Sequence, residues 1–313
     1  MHVPTGEPIA EIGIELAALL DRMPCTAGRP RTVEDLPGGL TNRNLKVTTP
    51  DGAEVVRISA GATGLLSIDR DNEHANSHAA ATTGVGAPVR DYLPGEGVLV
   101  VGFLPGRILT NDDLADPAVL GRVARSCRTL HAGPRFVADF DMFDTQRRYL
   151  KIVRAHGFRL PSRYLEFAPA VARIERALAV CSEPTVPCNN DLLAANLIDD
   201  GAQVWIIEYE YSGNNDACFE LGNIWSEADL SLAHLEELVG QYYGRTLRNK
   251  LARARLLGLM SKYGWTLWAS IQGGASSLDF DFWSWGMEKY DRAVVEFNSP
   301  HFDRMLEDVQ RTD

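Results

Sequence analysis

Pro187-Cys188-Asn189-Asn190-Asp191-Leu192-Leu193-Ala194-Ala195-Asn196, in the second half of a 313-residue chain, places an aspartate and an asparagine with four residues between them. Two short apolar runs follow, 196–198 and 204–207, separated by Asp199-Asp200-Gly201, which reads as a hairpin turn. The second run leads directly into Glu208. This spacing suits group-transfer chemistry: a carboxylate takes the proton of an attacking hydroxyl, and a side-chain carbonyl farther along the loop holds Mg²⁺. The hairpin brings a second carboxylate back to the same metal. Alone, D-x-x-x-x-N arises often by chance; followed by a hairpin that ends in an acid, it is far more specific.

On either side of this stretch the chain changes character. Residues 9–22 carry Ile12, Leu16, Leu19 and Leu20 at helical spacing. Short β-type runs come next, at 32–36, 44–48 and 54–59, with turn signals Pro37-Gly38-Gly39 and Pro50-Asp51-Gly52 between them, so an antiparallel meander is expected. A helix is expected over 69–81, then a buried strand at 97–103 (GVLVVGF), broken by Leu104-Pro105-Gly106. Beyond that point the pattern is helical, over 117–131, 143–156, 166–182, 217–229, 231–243, 246–270 and 279–297. The layout is a small sheet-rich lobe followed by a larger helical one, and clefts between such lobes often hold ligands.

Composition removes several classes of function. There are 31 Lys plus Arg against 42 Asp plus Glu, a formal charge of −11, so no basic excess exists to neutralise nucleic-acid phosphates. Five cysteines, an odd number with no C-x-x-C pair, argue against a disulfide framework or zinc site and favour a reducing compartment. The N-terminal segment is interrupted by Glu7, Glu11 and Glu15, unlike a secretory signal, and no apolar run approaches the roughly 18 residues of a membrane span. A cytoplasmic protein without membrane insertion is expected.

Six segments then fall into one order: Gly39-Leu40-Thr41-Asn42-Arg43-Asn44, Val56-Arg57-Ile58, Ile68-Asp69-Arg70-Asp71-Asn72-Glu73, Leu130-His131, Asn190-Asp191-Leu192-Leu193 and Tyr209-Glu210-Tyr211-Ser212-Gly213. In order and spacing the chain resembles the choline/ethanolamine kinase family, within the aminoglycoside-phosphotransferase and protein-kinase-like superfamily, over residues 30–297. The resemblance implies an α+β, bilobal protein-kinase-like fold. A small antiparallel-sheet nucleotide-binding lobe would span 1–103, and a mainly helical catalytic and substrate-binding lobe 104–313. It implies ATP and Mg²⁺ as cofactors and transfer of the γ-phosphoryl group to the hydroxyl of an amino alcohol such as choline or ethanolamine. Asp191 then corresponds to the catalytic base, and Asn196 and Glu208 to the Mg²⁺ ligands. Arg57 takes the place of the phosphate-binding basic residue and Glu73 that of its helix partner. Gly39, Thr41 and Asn42 would cover the nucleotide phosphates, and 101–104, with Phe103, would form the hinge against adenine.

The family pattern has His where this chain has Asn189, and Asp where it has Glu208. Asn can still donate and accept hydrogen bonds. Glu is one methylene longer, whereas Mg²⁺ requires near-octahedral oxygens at about 2.0–2.1 Å, and a misplacement of about 1 Å in such a site costs on the order of 100-fold in rate. A retracted rotamer, or help from Glu210, would restore the fit. These departures leave room for a pseudo-kinase that binds without turnover; another alternative keeps the chemistry with an aminoglycoside or amino sugar as substrate.

Toward the C-terminus, Trp265, Trp268, Trp283 and Trp285 cluster with Phe280, Phe282, Tyr290 and the acids Asp279, Asp281 and Glu288. Aromatic faces among acids suit an ammonium ion, so a small cationic, hydroxyl-bearing substrate is expected. The family's choline pocket is a similar cluster, which implies Tyr209, Glu210, Trp265, Trp268 and Trp285 as substrate contacts. Taken by themselves, Trp265 and Trp268 lie three apart on one helix face and suit a core equally well. His131 and Asp216 are expected as helix caps, Asp216 also bracing the loop, and Cys188 as a small buried side chain. Oligomeric state is not legible.

Overall fold

The computed structural model describes residues 14–36, 42–59, 65–66 and 68–312. Gly39 and Thr41, and the first part of the expected N-terminal helix, lie outside the described residues. Five strands, β1 (Thr32–Leu36), β2 (Asn42–Thr49), β3 (Gly52–Ser59), β4 (Val89–Leu93) and β5 (Val98–Gly102), form one sheet in the order β1-β2-β3-β5-β4. Every neighbouring pair is antiparallel. Alternation places Val33, Leu45, Val47, Val56, Val98 and Val100 on one face, where Leu20 of α1 (Ile14–Leu20) and Met23 complete a small core. Strand β4 was not expected. It lies at the sheet edge and none of its residues is fully buried, so it carries no apolar alternation to read.

Helix α2 (Arg70–Thr82) begins where the Asp69 carboxylate accepts from the Asp71 and Asn72 amides, both at 3.0 Å. It turns Glu73 and Asn76 inward. After β5 the chain adds β6 (Arg107–Ile108) and then α3 (Pro117–His131), α4 (Met142–His156) and α5 (Ala168–Val180). Two small antiparallel sheets carry the loops of interest. β7 (Val186–Cys188) pairs with β10 (Gly213–Asn215), and β8 (Leu197–Asp199) lies between β6 and β9 (Val204–Ile206). The expected hairpin is β8–β9, with β8 shifted by one residue and β9 ending one residue earlier than expected. Helices α6 (Ala217–Glu227), α7 (Leu232–Tyr243), α8 (Arg248–Ala275), α9 (Phe282–Phe297) and α10 (Phe302–Asp308) complete the larger lobe. The seven-residue α10 was missed, being too short to show a helical period.

The larger lobe is built on α8, which α6 crosses backbone to backbone. A Cβ on Gly222 would strike the Ala254 carbonyl and Gly258, so only glycine permits the approach. That contact sets the distance between the C-terminal end of α6 and the tryptophans of α8. No helix among the described residues is long and apolar enough to cross a membrane, and all five cysteines are unpaired.

Helix α8 also buries a lysine. Lys262 is 3% exposed, and its Nζ lies 3.4 Å from the centre of the Trp225 ring. Burial pulls its ammonium down to about 7, against weaker support from Glu296. A base whose folded pKa is depressed contributes stability at pH above its unfolded value, and that contribution is lost as pH falls toward 7. Lys262→Met is therefore expected to stabilise the fold near pH 7 by on the order of 3 kcal/mol, with part of the desolvation offset by the cation–π contact. The advantage should shrink as pH rises to 10, and urea unfolding of both proteins at pH 7, 8.5 and 10 reads it directly.

Candidate active site

The loop 189–196 is fixed from beneath by α6. Both oxygens of Glu220 accept backbone N–H groups, of Asn189 and of Asn190, each at 2.8 Å. Asn223 Oδ1 accepts from the Leu192 amide at 2.7 Å. Glu220 and Asn223 are completely buried, so the loop is clamped by side chains that water does not reach. Asp216 caps α6, as expected, and pairs with Arg253. The loop brace is Glu220 rather than Asp216, one helical turn farther along.

Asn189, the residue that replaces histidine, ties two loops together. Its Oδ1 accepts from the Asp191 amide at 3.1 Å, and its Nδ2 donates to the carbonyls of Glu208 at 2.7 Å and Ile207 at 3.1 Å. Asn196 Nδ2 donates to the Asp191 carbonyl at 2.7 Å. Asn190 and Glu208 both have left-handed backbone, at φ 69° and 64°. Asn adopts this region readily; Glu does so only when its surroundings hold it there.

Arg57 is what holds Glu208. One guanidinium nitrogen, Nη1, donates to Glu73 at 2.6 Å, and Nη2 pairs with Glu208. Arg70, a residue not singled out from the sequence, bridges Glu73 at 2.6 Å and Glu210 at 3.1 Å, and Asn42 donates to Glu210 at 3.1 Å. Strand β3 and helix α2 of the small lobe are thereby joined to the segment after β9. Burial would depress the Arg57 guanidinium, but the charges of Glu208 and Glu73 outweigh it and hold it raised. For Glu208 burial dominates and pushes the carboxyl up to about 7, against the pull of Arg57. Burial likewise holds Asp191 well above the usual carboxylate range, with Glu227 and Glu210 adding to it.

Beside these groups lies a cavity of about 210 Å³. Asp191, Asn196, Glu208 and Glu210 line it together with Tyr211, Glu227, Trp265, Trp268 and Trp285. Trp268 Nε1 donates to the Tyr211 hydroxyl at 2.7 Å, and Tyr211 meets Trp265 edge to face. The tryptophans thus serve as core and wall together: Trp265 and Trp268 are buried, yet both line the cavity.

Of the residues expected at a site, Asp191, Asn196, Glu208, Glu210, Trp265, Trp268 and Trp285 meet around this cavity, and Asn42, Arg57 and Glu73 belong to the ion-pair network above it. Tyr209 does not belong. It lies between Glu208 and Glu210 in sequence but turns into the core against Phe136, and Tyr211 takes the place expected for it. Phe103 packs under Lys46 Nζ, 4.5 Å from the ring centre, and does not line the cavity. Trp283 stacks under Arg159 outside it. Glu227 was missed because nothing near it in sequence marks it.

His131, Cys188 and Glu220 also lie together, all buried, with their ligand atoms within 4.8 Å of one another. They form an internal hydrogen-bonded group. Glu220 is engaged by the loop amides, and His131 Nδ1 lies 2.7 Å from the Tyr242 hydroxyl.

Residues 33–242 match the family model described as choline/ethanolamine kinase. The chain belongs to that family. It is accordingly a phosphotransferase with an alcohol group as acceptor. Among relatives, it is 26% identical to ethanolamine kinase 1 of Mus musculus, over 95% of this chain and 94% of that one. It is 28% identical to protein LicA of Haemophilus influenzae, over 67% and 62%. Among solved structures, a choline/ethanolamine kinase family protein from Mesorhizobium loti superposes with a TM-score of 0.84 at 29% identity, covering 95% of this chain and 98% of that one. The bilobal α+β architecture extends to aminoglycoside phosphotransferase APH(4)-Ia, with a TM-score of 0.61 at 17% identity over 85% and 95%.

Proposed function

We propose that this chain transfers the γ-phosphoryl group of ATP to the hydroxyl of a small amino alcohol, ethanolamine or choline. The observation that carries this reading is a cavity lined both by Asp191, Asn196 and Glu208 and by Glu227 and three tryptophans. Its volume, about 210 Å³, falls below the range of about 300–1,000 Å³ usual for drug-sized ligands. A small amino alcohol therefore suits it better than an aminoglycoside does.

In this reading the lobe up to residue 103 binds the nucleotide and the lobe from 104 binds the acceptor. Asp191 orients the hydroxyl and takes its proton, and Arg57, backed by Glu73, faces the phosphates. Asn196 and Glu208 are the residues that would hold Mg²⁺, which when bound supplies charge neutralisation along the phosphates. The donor set fits a hard cation. With Asn196 Nδ2 committed to the Asp191 carbonyl, its Oδ1 is left to accept, beside the Glu208 carboxylate. The Glu208 side chain reaches Arg57, which holds its carboxylate at the cavity.

The test is amine-dependent release of ADP from ATP with Mg²⁺, across ethanolamine, choline and an aminoglycoside, for the wild type and for Glu208→Asp. Turnover with the small amines is expected, and Glu208→Asp, which withdraws the carboxylate by about 1 Å, should lose roughly 100-fold. Turnover with the aminoglycoside alone would replace the substrate class. A silent wild type that gains activity as Glu208→Asp would mean a cleft that has lost its metal geometry.

A further inference from the structure

Glu227, the last residue of α6, lines the same cavity as Asp191. Its Oε2 pairs with the Nζ of Lys289 on α9, a lysine only 2% exposed. The same ammonium lies over Trp285, 4.0 Å from the ring centre. The other oxygen of Glu227, Oε1, is buried and has no hydrogen-bond partner. The chain has thus put an ammonium of its own between Trp285 and Glu227, two residues of the cavity lining, and has left one oxygen of Glu227 without a donor.

We propose that Lys289 is a specificity-determining residue, which restricts the acceptor to a primary or secondary ammonium alcohol and disfavours a quaternary one. This deepens the reading above and rests on it. A buried acceptor without a donor is costly, and in native structures such groups are satisfied by protein, water or ligand. A primary ammonium brings N–H donors, and a small turn of the Glu227 carboxylate brings Oε1 to it while Lys289 keeps Oε2. A trimethylammonium group presents only methyls and leaves Oε1 unpaired. Its remaining attractions are charge and cation–π contact, and Lys289 weakens both, since it neutralises Glu227 and covers Trp285. Without Lys289, the same acid and the same ring would form a site for a cation that needs no hydrogen bond.

The experiment compares kcat/KM for ethanolamine and for choline in the wild type, Lys289→Met and Lys289→Arg, at saturating ATP. Taking the ratio of the two amines cancels any difference in the fraction of folded enzyme. The wild type is expected to prefer ethanolamine by at least about 10-fold, because a site built around a hydrogen bond rejects the analogue that lacks the donor. Lys289→Met should narrow the ratio by at least about 10-fold, and Lys289→Arg, which keeps the charge and the donors, should preserve it. Where Lys289→Met does not fold, the double variant Glu227→Gln/Lys289→Met removes both charges of the buried pair and should narrow the ratio likewise. Equal use of both amines by the wild type, or a ratio unmoved in the variants, would overturn the inference while leaving an amino-alcohol kinase. No turnover of either amine would overturn that reading and the inference together.

Discussion

Replacing Asp191 by Asn should lower kcat by about 10²–10⁴-fold, the range expected when a positioned general base is removed. The substitution preserves shape and removes only the ability to accept a proton. The backbone of residue 191 is fixed independently of its side chain, through its amide to Asn189 and its carbonyl to Asn196. The loop should therefore survive the change, and the loss should be chemical. Burial and the charges of Glu227 and Glu210 hold Asp191 well above the usual carboxylate range, while Lys289 draws it down. Only the ionised form can accept the hydroxyl proton, so wild-type turnover should rise with pH as Asp191 ionises. Asp191→Asn should lack that rising limb. Turnover within a few-fold of the wild type, or an unaltered pH profile, would remove Asp191 from the chemistry.

How far the sequence carried this site depends on the range over which each signal acts. The small lobe was legible because its signals are local: turn residues separate the β-type runs of β1, β2 and β3, and β5 is a continuous apolar run. The edge strand β4 lacks alternation and was not seen. The long helices were legible from their period, α3 to the residue. Asp191, Asn196 and Glu208 were legible because a loop and hairpin bring them together within 18 positions in sequence, and Asn189 then proves to brace the two segments that carry them. Arg70 stood inside a quoted motif, three residues before Glu73, where helical spacing permits an ion pair. Glu227 and Lys289 were beyond reach. They stand 62 positions apart on α6 and α9, and the close crossing of α6 and α8 at Gly222 and Gly258 is what fixes where Glu227 lies. Tyr209 was misplaced because adjacent residues of one short segment face opposite ways, and sequence did not say which.

Glu220 is where fold and chemistry depend on the same atoms, and Glu220→Ala is expected to destabilise the protein by about 3–5 kcal/mol. Its two oxygens satisfy the amides of Asn189 and Asn190 in a place water does not reach. Truncation leaves both N–H groups without acceptors and opens a void beneath the loop, so the two penalties add. Glu220→Gln keeps the volume, but its amide nitrogen must face an N–H group, donor against donor. It should therefore lose roughly half as much, about 2 kcal/mol. Glu220→Asp retains both acceptors on a shorter arm and should rescue stability more fully than activity, because the loop would follow the retreating carboxylate and carry Asp191 with it. Urea unfolding gives the first quantity, and kcat of the folded fraction at low temperature gives the second. If Glu220→Ala unfolds like the wild type, the two loop amides have found other partners, and the clamp described here is not what holds Asp191 in place.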